Sequence, residues 1–177
     1  MSIFARLFRP RPDEHSAIRP LWHRIVEIAR EKQWYAGLGI ADTLPGRFDA
    51  ITLVLALVLL RMEQDGDLAS PSVLLTELFV DDMDGQLRES GVGDLVVGKH
   101  IGRLISVLGG RLGALREALS QDDDEALTAA LTRNITMRDG EAVQTQGVAP
   151  LATAIRALAN ELAALPSERL LVGDIPR

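Results

Sequence analysis

Between Ala50 and Leu60 the chain reads AITLVLALVLL, eleven residues in which Thr52 is the single polar one. A helix apolar on every side must be enclosed by protein or lipid. Spanning a bilayer takes about 20 apolar residues, and this run is flanked by Arg47, Asp49 and Arg61. The run therefore predicts a central core helix that other helices must surround. Asp42 or Thr43 is placed to cap it, and Pro45 falls in its first turn, where a missing N–H costs nothing. The helix is expected to run to about Gln64, where Asp65-Gly66-Asp67 ends it.

The surrounding segments show helical periodicity almost throughout. Residues 1–20 hold Pro10, Pro12 and Pro20 and read as an irregular basic arm. Trp22, Ile25, Ile28 and Ala29 then mark an amphipathic helix from Leu21 to about Gln33, broken by Gly37 and Gly39. Ser70-Pro71 predicts a helix start, with Leu75, Phe79, Met83 and Leu87 on one face and Leu74 and Leu78 alongside. That helix is expected to end at Ser90-Gly91. Asp94 caps the longest expected helix, Leu95 to Leu119, with a stripe at Val97, Ile101, Leu104, Leu108, Leu112, Leu115 and Leu119. Gly98, Gly102, Gly109, Gly110 and Gly113 lie within it, which predicts close helix approach or a break near Gly109-Gly110. A short helix from Asp122 to Arg133, a polar loop over Met137–Gln146 and a helix from Val148 to Leu165 follow. Pro166 closes the last helix, and Ser167–Arg177 is expected to be irregular. No strand pattern alternates credibly. The expected fold is all-α, a single-domain irregular bundle of about six helices over 21–165, with an arm at 1–20 and a tail at 166–177.

Composition narrows the function. With 19 Lys+Arg against 25 Asp+Glu the net charge is −6, the reverse of a general nucleic-acid binder. The chain has no Cys, which removes disulfides, thiolate metal sites and Cys nucleophiles. His15, His23 and His100 are scattered, none with a partner at metal-ligand spacing. There is no nucleophile elbow and no phosphate loop. No cofactor and no enzymatic activity are expected.

Charge is unevenly spread. Met62 to Asp94 carries Glu63, Asp65, Asp67, Glu77, Asp81, Asp82, Asp84, Glu89 and Asp94 against Arg88 alone. Lys99 to Arg116 carries Lys99, Arg103, Arg111 and Arg116 with, before Glu117, no acid. The plain reading is pairing between neighbouring antiparallel helices; the functional one is a bipolar surface that steers a charged partner. Asp81, Asp82 and Asp84 crowd one turn near a helix C-terminus, where carboxylates oppose the helix dipole. They read as a solvated face, a partner surface, or part of a Mg²⁺–diphosphate site as in all-α prenyl-diphosphate enzymes. Those enzymes need two clusters and a longer chain. In the arm, Arg6, Arg9 and Arg11 alternate with Phe4, Leu7 and Phe8, a disordered tail or a weak contact with an anionic membrane surface.

Four segments together resemble the ubiquinol–cytochrome c chaperone family. They are Trp34-Tyr35 with Gly39-Ile40-Ala41-Asp42-Thr43, then Gly46-Arg47-Phe48-Asp49, then Leu78-Phe79-Val80-Asp81-Asp82-Met83-Asp84, then Leu87-Arg88-Glu89 through Gly91, Gly93 and Lys99. Gly110-Arg111 and Leu131-Thr132-Arg133-Asn134 echo it more weakly. The likeness spans roughly Ile25 to Asn134. Ser90 stands where a bulkier apolar residue is expected, and Ala41 where proline is.

The resemblance implies a non-catalytic chaperone that binds newly made cytochrome b and helps assemble the quinol–cytochrome c oxidoreductase. A small helper protein and the ribosome are implied partners. By resemblance, client contact falls at Asp81, Asp82, Asp84, Arg88, Lys99 and Arg103, with Gly91 and Gly93 shaping the turn between helices. Trp34, Tyr35, Arg47, Phe48 and Phe79 are expected to be structural, Arg47 pairing with Asp49 or Asp84. A short chain with a brief arm suggests a bacterial, cytoplasmic protein, peripheral on the inner membrane. A helical membrane-peripheral scaffold without a cytochrome client is the competing reading.

Overall fold

The computed structural model describes residues 14–89, 94–138 and 147–176, and side chains over 15–86, 102–138 and 147–176. Seven α-helices appear among the described residues: α1 (Arg19–Ala29), α2 (Leu44–Met62), α3 (Ala69–Glu89), α4 (Asp94–Leu119), α5 (Glu125–Asn134), α6 (Ala149–Ala164) and α7 (Ser167–Leu171). The fold is all-α. Among the described residues the nearest approach to a strand is an isolated antiparallel bridge between Ile40 and Met137.

α2 is the enclosed centre that its composition predicts. Leu53 to Leu59 are all buried without interruption. Thr43 caps it, its Oγ1 accepting the Gly46 N–H at 3.3 Å, which satisfies one of the orphan donors of the first turn. α1 packs through Leu21, Trp22, Ile25, Ile28 and Ala29. It stops at Ala29 rather than Gln33, and a single π turn at Gln33–Gly37 follows. That turn sends two aromatic donors back to the helix end: Trp34 Nε1–H donates to the Ile28 carbonyl at 2.7 Å and Tyr35 O–H to the Ala29 carbonyl at 2.6 Å. Carbonyls at a helix C-terminus lack intrahelical donors, so the Trp-Tyr pair is a side-chain cap as well as core.

α3 buries Leu75, Leu78, Phe79 and Met83. Phe79 meets Trp22 edge-on at 6.0 Å between ring centroids and lies 6.4 Å from Phe48. The helix begins at Ala69, directly after a 3-10 turn at Gly66–Leu68, so Ser70-Pro71 lies inside its first turn.

α4 departs from expectation in two ways. It runs unbroken through Gly109-Gly110. Gly102, Gly109, Gly110 and Gly113 are exposed, and a Cβ at any of them would meet nothing within 4 Å. These glycines therefore mark an open face rather than close packing. The deeply buried face is Leu108, Arg111, Leu115 and Ala118, with Leu104, Leu112 and Leu119 only partly covered. The side chains of Val97 and Ile101, and the expected cap of Asp94, lie outside the described residues.

α5 starts at Glu125 rather than Asp122. Asp124 occupies the N-cap position without capping; its Oδ1 accepts Arg156 Nε–H from α6 at 2.5 Å instead. The Met137–Gln146 loop falls outside the described residues beyond Arg138.

Residues 14–20 and 167–176 are more ordered than the sequence suggests. Glu14–Ala17 forms a 3-10 turn, Ile18 is buried, and Pro20 sits in the first turn of α1. The tail holds α7, with Leu170 and Ile175 in the core. Arg24 of α1 donates twice to the Ile175 carbonyl, at 3.2 and 2.9 Å. Arg61 at the end of α2 donates to the Leu162 and Leu165 carbonyls at 3.1 and 2.9 Å, a cation placed on the negative end of α6. Arm residues 1–13 lie outside the described part.

Ser167 Oγ–H donates to Asp65 Oδ2 at 2.6 Å. This bond, with the Asp67 N–H, holds the Asp65 carboxyl below the usual carboxylate range. A group whose folded pKa is depressed contributes stability above its unfolded pKa and loses it as pH falls through the folded one. We expect the amides of α7 to lose hydrogen-exchange protection, corrected for intrinsic rate, as acid protonates Asp65. In an Asp65→Asn variant protection should be lower at neutral pH and flat across the titration. Protection in the wild type that ignores acid would show that the bond does not hold α7.

Candidate functional site: an apolar groove beside an acidic helix face

A groove of about 950 Å³ opens between the α1–α2 connection, α2, α3 and α4. Its floor is apolar: Tyr35, Phe48, Ile51, Met83 and Leu104. Its rim carries Arg30, Lys32, Arg47, Asp42 and Gln86, with Leu44 and Pro45 at one lip. Leu44 is 80% exposed. Arg47 pairs with Asp42, Nε to Oδ1 at 2.7 Å, not with Asp49 or Asp84 as the sequence reading has it. The Asp42 contact holds Arg47 all the more firmly protonated. Burial pushes the Tyr35 hydroxyl up, against the opposing pull of Arg47, so it stays a neutral donor to the Ala29 carbonyl.

The groove floor rests on a buried polar node that the sequence reading missed. Asp49 and Arg111 are each 6% exposed. Arg111 pairs with Asp49 Oδ1 and donates to Thr52 Oγ1, and to the Asn134 carbonyl at 2.7 Å. The second Asp49 oxygen accepts the Thr136 N–H at 2.8 Å. The guanidinium carbon sits 5.8 Å from the Phe48 ring centroid, in cation–π range. One ion pair thus ties α2, α4 and the end of α5 together. Arg111 is therefore no part of a bipolar surface, because its charge is consumed inside. The resemblance held a signal for this, since Asp49, Arg111 and Asn134 all stand in its quoted segments.

The acidic cluster straddles α3, with Asp81 on the flank away from the groove and Asp82 toward Gln86 of the groove rim. Asp81 and Asp82 are exposed and Asp84 is half-buried; Asp82 Oδ2 accepts Gln86 Nε2–H at 3.3 Å. Asp81 and Glu77 border a shallow depression with Val73, Val80 and Ile105. Val73 and Ile105 are 57% and 42% exposed. Arg103, on α4, is exposed too. The acidic face is therefore also an apolar one. Arg88 lies on α3 and Lys99 on α4, but their side chains, like Gly91 and Gly93, are outside the described residues. Of the expected pairing between acidic and basic segments, Arg116 with Glu63 at 2.8 Å is observed. Trp34 and Phe79 are fully buried in the core, and Tyr35 and Phe48 are half-buried where they line the groove.

Among the described residues no group of three or more His, Asp or Glu side chains is arranged to hold a metal ion, Asp81, Asp82 and Asp84 included. None of the described helices is long and apolar enough to cross a membrane.

The family model for the ubiquinol–cytochrome c chaperone matches residues 36–177. The chain belongs to that family. The solved Cbp3 homolog from Brucella abortus superimposes with a TM-score of 0.77 at 31% identity, covering 98% of this chain and 95% of that one. No curated protein matches. In this chain the Trp34-Tyr35 cap, the first turn of α2 at Gly46–Asp49 and the Arg111 node tie the helices together. What they frame is the groove and the acidic, apolar flank of α3.

Proposed function

We propose that the protein is a non-catalytic assembly chaperone that binds newly made cytochrome b and promotes assembly of the quinol–cytochrome c oxidoreductase. The observation that carries this reading is family membership over residues 36–177. A chaperone for an apolar client needs a surface rather than a catalytic pocket. The α3–α4 flank offers exposed apolar side chains, Val73 and Ile105, beside charged Glu77 and Asp81, with Asp82 and Arg103 exposed on the same two helices. Such a mixture suits a client segment that is apolar with basic flanks. Arg88 and Lys99, with Gly91 and Gly93 between them, extend the proposed contact by their position in sequence. The client would be met at the cytoplasmic face of a bacterial inner membrane, with a small helper protein and the ribosome as further partners.

Deleting the gene in the source cell is expected to remove both the haem b difference spectrum and quinol–cytochrome c reductase activity of its membranes. The wild-type gene should restore both. Asp82→Lys and Arg103→Glu sit on exposed positions, so each should fold normally yet restore only a fraction of the assembled complex. Full restoration by both variants would remove this flank from the client surface. An unchanged spectrum and activity in the deletion strain would remove the client itself.

A further inference from the structure

We propose that the groove is a docking site for an anionic phospholipid bilayer, which takes Leu44 and an acyl chain into its apolar mouth and sets anionic headgroups on Arg30 and Lys32. The inference goes beyond the client reading and does not rest on it, because the groove is lined by the α1–α2 connection and by Met83 and Gln86 of α3, not by Val73, Asp81 and Ile105.

Three observations carry it. The first is size and lining. About 950 Å³ lies within the range of roughly 300–1,000 Å³ that holds small apolar ligands, and the floor of Tyr35, Phe48, Ile51 and Met83 offers no charge. The second is the lip. Leu44 opens α2 with 80% of its surface in water beside exposed Pro45. Burying it in the acyl boundary recovers apolar area that the fold itself leaves unburied. The third is the charge of the rim in a chain whose net charge is −6. Asp42 is taken by Arg47. Arg30 and Lys32 are exposed and have no ion-pair partner among the described residues. Two uncompensated cations beside an exposed leucine and an apolar groove complement an anionic headgroup layer. An acidic protein as a whole would be repelled from that layer, so attachment must be local and must fix orientation. Docked this way, the client flank of α3 would lie beside the membrane surface from which an apolar client is handled.

The test is sedimentation of the full chain with phosphatidylcholine vesicles, with and without phosphatidylglycerol. We expect binding that requires phosphatidylglycerol and weakens with salt. Arg30→Glu/Lys32→Glu should lower it on the order of tenfold or more, Leu44→Asp similarly, and Arg30→Lys/Lys32→Arg should restore it. Thermal midpoints should match the wild type, since all three positions are exposed. Reversing Arg6, Arg9 and Arg11 to Glu should leave binding unchanged. No phosphatidylglycerol-dependent binding would overturn the proposal. So would binding lost in the arm variant and kept in the groove variants. If the groove variants keep vesicle binding but lose capture of newly made cytochrome b, the groove belongs to the client and the lipid assignment fails.

Discussion

Replacing Arg111 with leucine is expected to destabilise the domain by about 3–5 kcal/mol, much of the roughly 5–15 kcal/mol that a domain has. The cause is what stays behind rather than the contact that is lost. Asp49 would remain 6% exposed with a negative charge and the Thr136 N–H as its chief donor. Thr52 Oγ1 would lose the donor that Arg111 supplies, and the Asn134 carbonyl would lose its guanidinium partner. Urea unfolding followed by Trp fluorescence measures the loss. Arg111→Leu combined with Asp49→Asn should recover part of it, because the amide still accepts the Thr136 N–H without carrying a charge. If the single and double variants unfold alike, uncompensated charge is not the cause and packing of the guanidinium against Phe48 takes its place.

Gly46→Ala is expected to cost about 3 kcal/mol, at the upper end of what overpacking costs. A Cβ at Gly46 would lie 2.0 Å from the Ala41 carbonyl oxygen and 2.9 Å from its carbon. Backbone must move, and this backbone is pinned: the Ala41 N–H donates to the Thr136 carbonyl at 2.9 Å, and Arg138 N–H to the Gly39 carbonyl at 2.8 Å. Displacing Gly46 also pulls its N–H from Thr43, a helix cap that contributes about 1 kcal/mol. The variant should therefore unfold at lower urea with an unchanged m-value. A change within about 0.5 kcal/mol, the size of an ordinary surface effect, would show that the 39–43 turn shifts freely.

Much of the bundle was legible from local pattern. The Ala50–Leu60 run could only be an enclosed helix, and Leu75, Phe79 and Met83 or Leu151, Ile155, Leu158 and Leu162 needed only the helical period to be placed inward. The tail was not legible. Ser167–Arg177 has no stripe long enough to predict α7, and the order of residues 167–176 comes from Asp65, Arg24 and Arg61, each far away in sequence. The glycines of α4 were misread because glycine signals both close approach and an open face, and the neighbour that decides between them is not in the local sequence. The sequence left Arg111 open between pairing with a neighbouring helix and a bipolar surface: an arginine on an amphipathic helix is usually at the surface, and the partner that decides, Asp49, lies 62 positions earlier.

The candidate site divides the same way. The sequence by itself determined the helices, the enclosed centre, the residues of the Trp34-Tyr35 and Gly46–Asp49 segments, and the family to which they point. Those are properties of spacing at i, i+3 and i+4 and of local capping, which a chain carries wherever it folds. Only the tertiary structure decided that Arg111 is buried while Arg30 and Lys32 line an apolar groove. It also decided that Leu44 stands exposed at the groove's lip and that Val73 and Ile105 share a flank with Asp81. Burial and charge pairing depend on which distant surfaces meet, and an ion's environment is set by those neighbours rather than by its place in the chain.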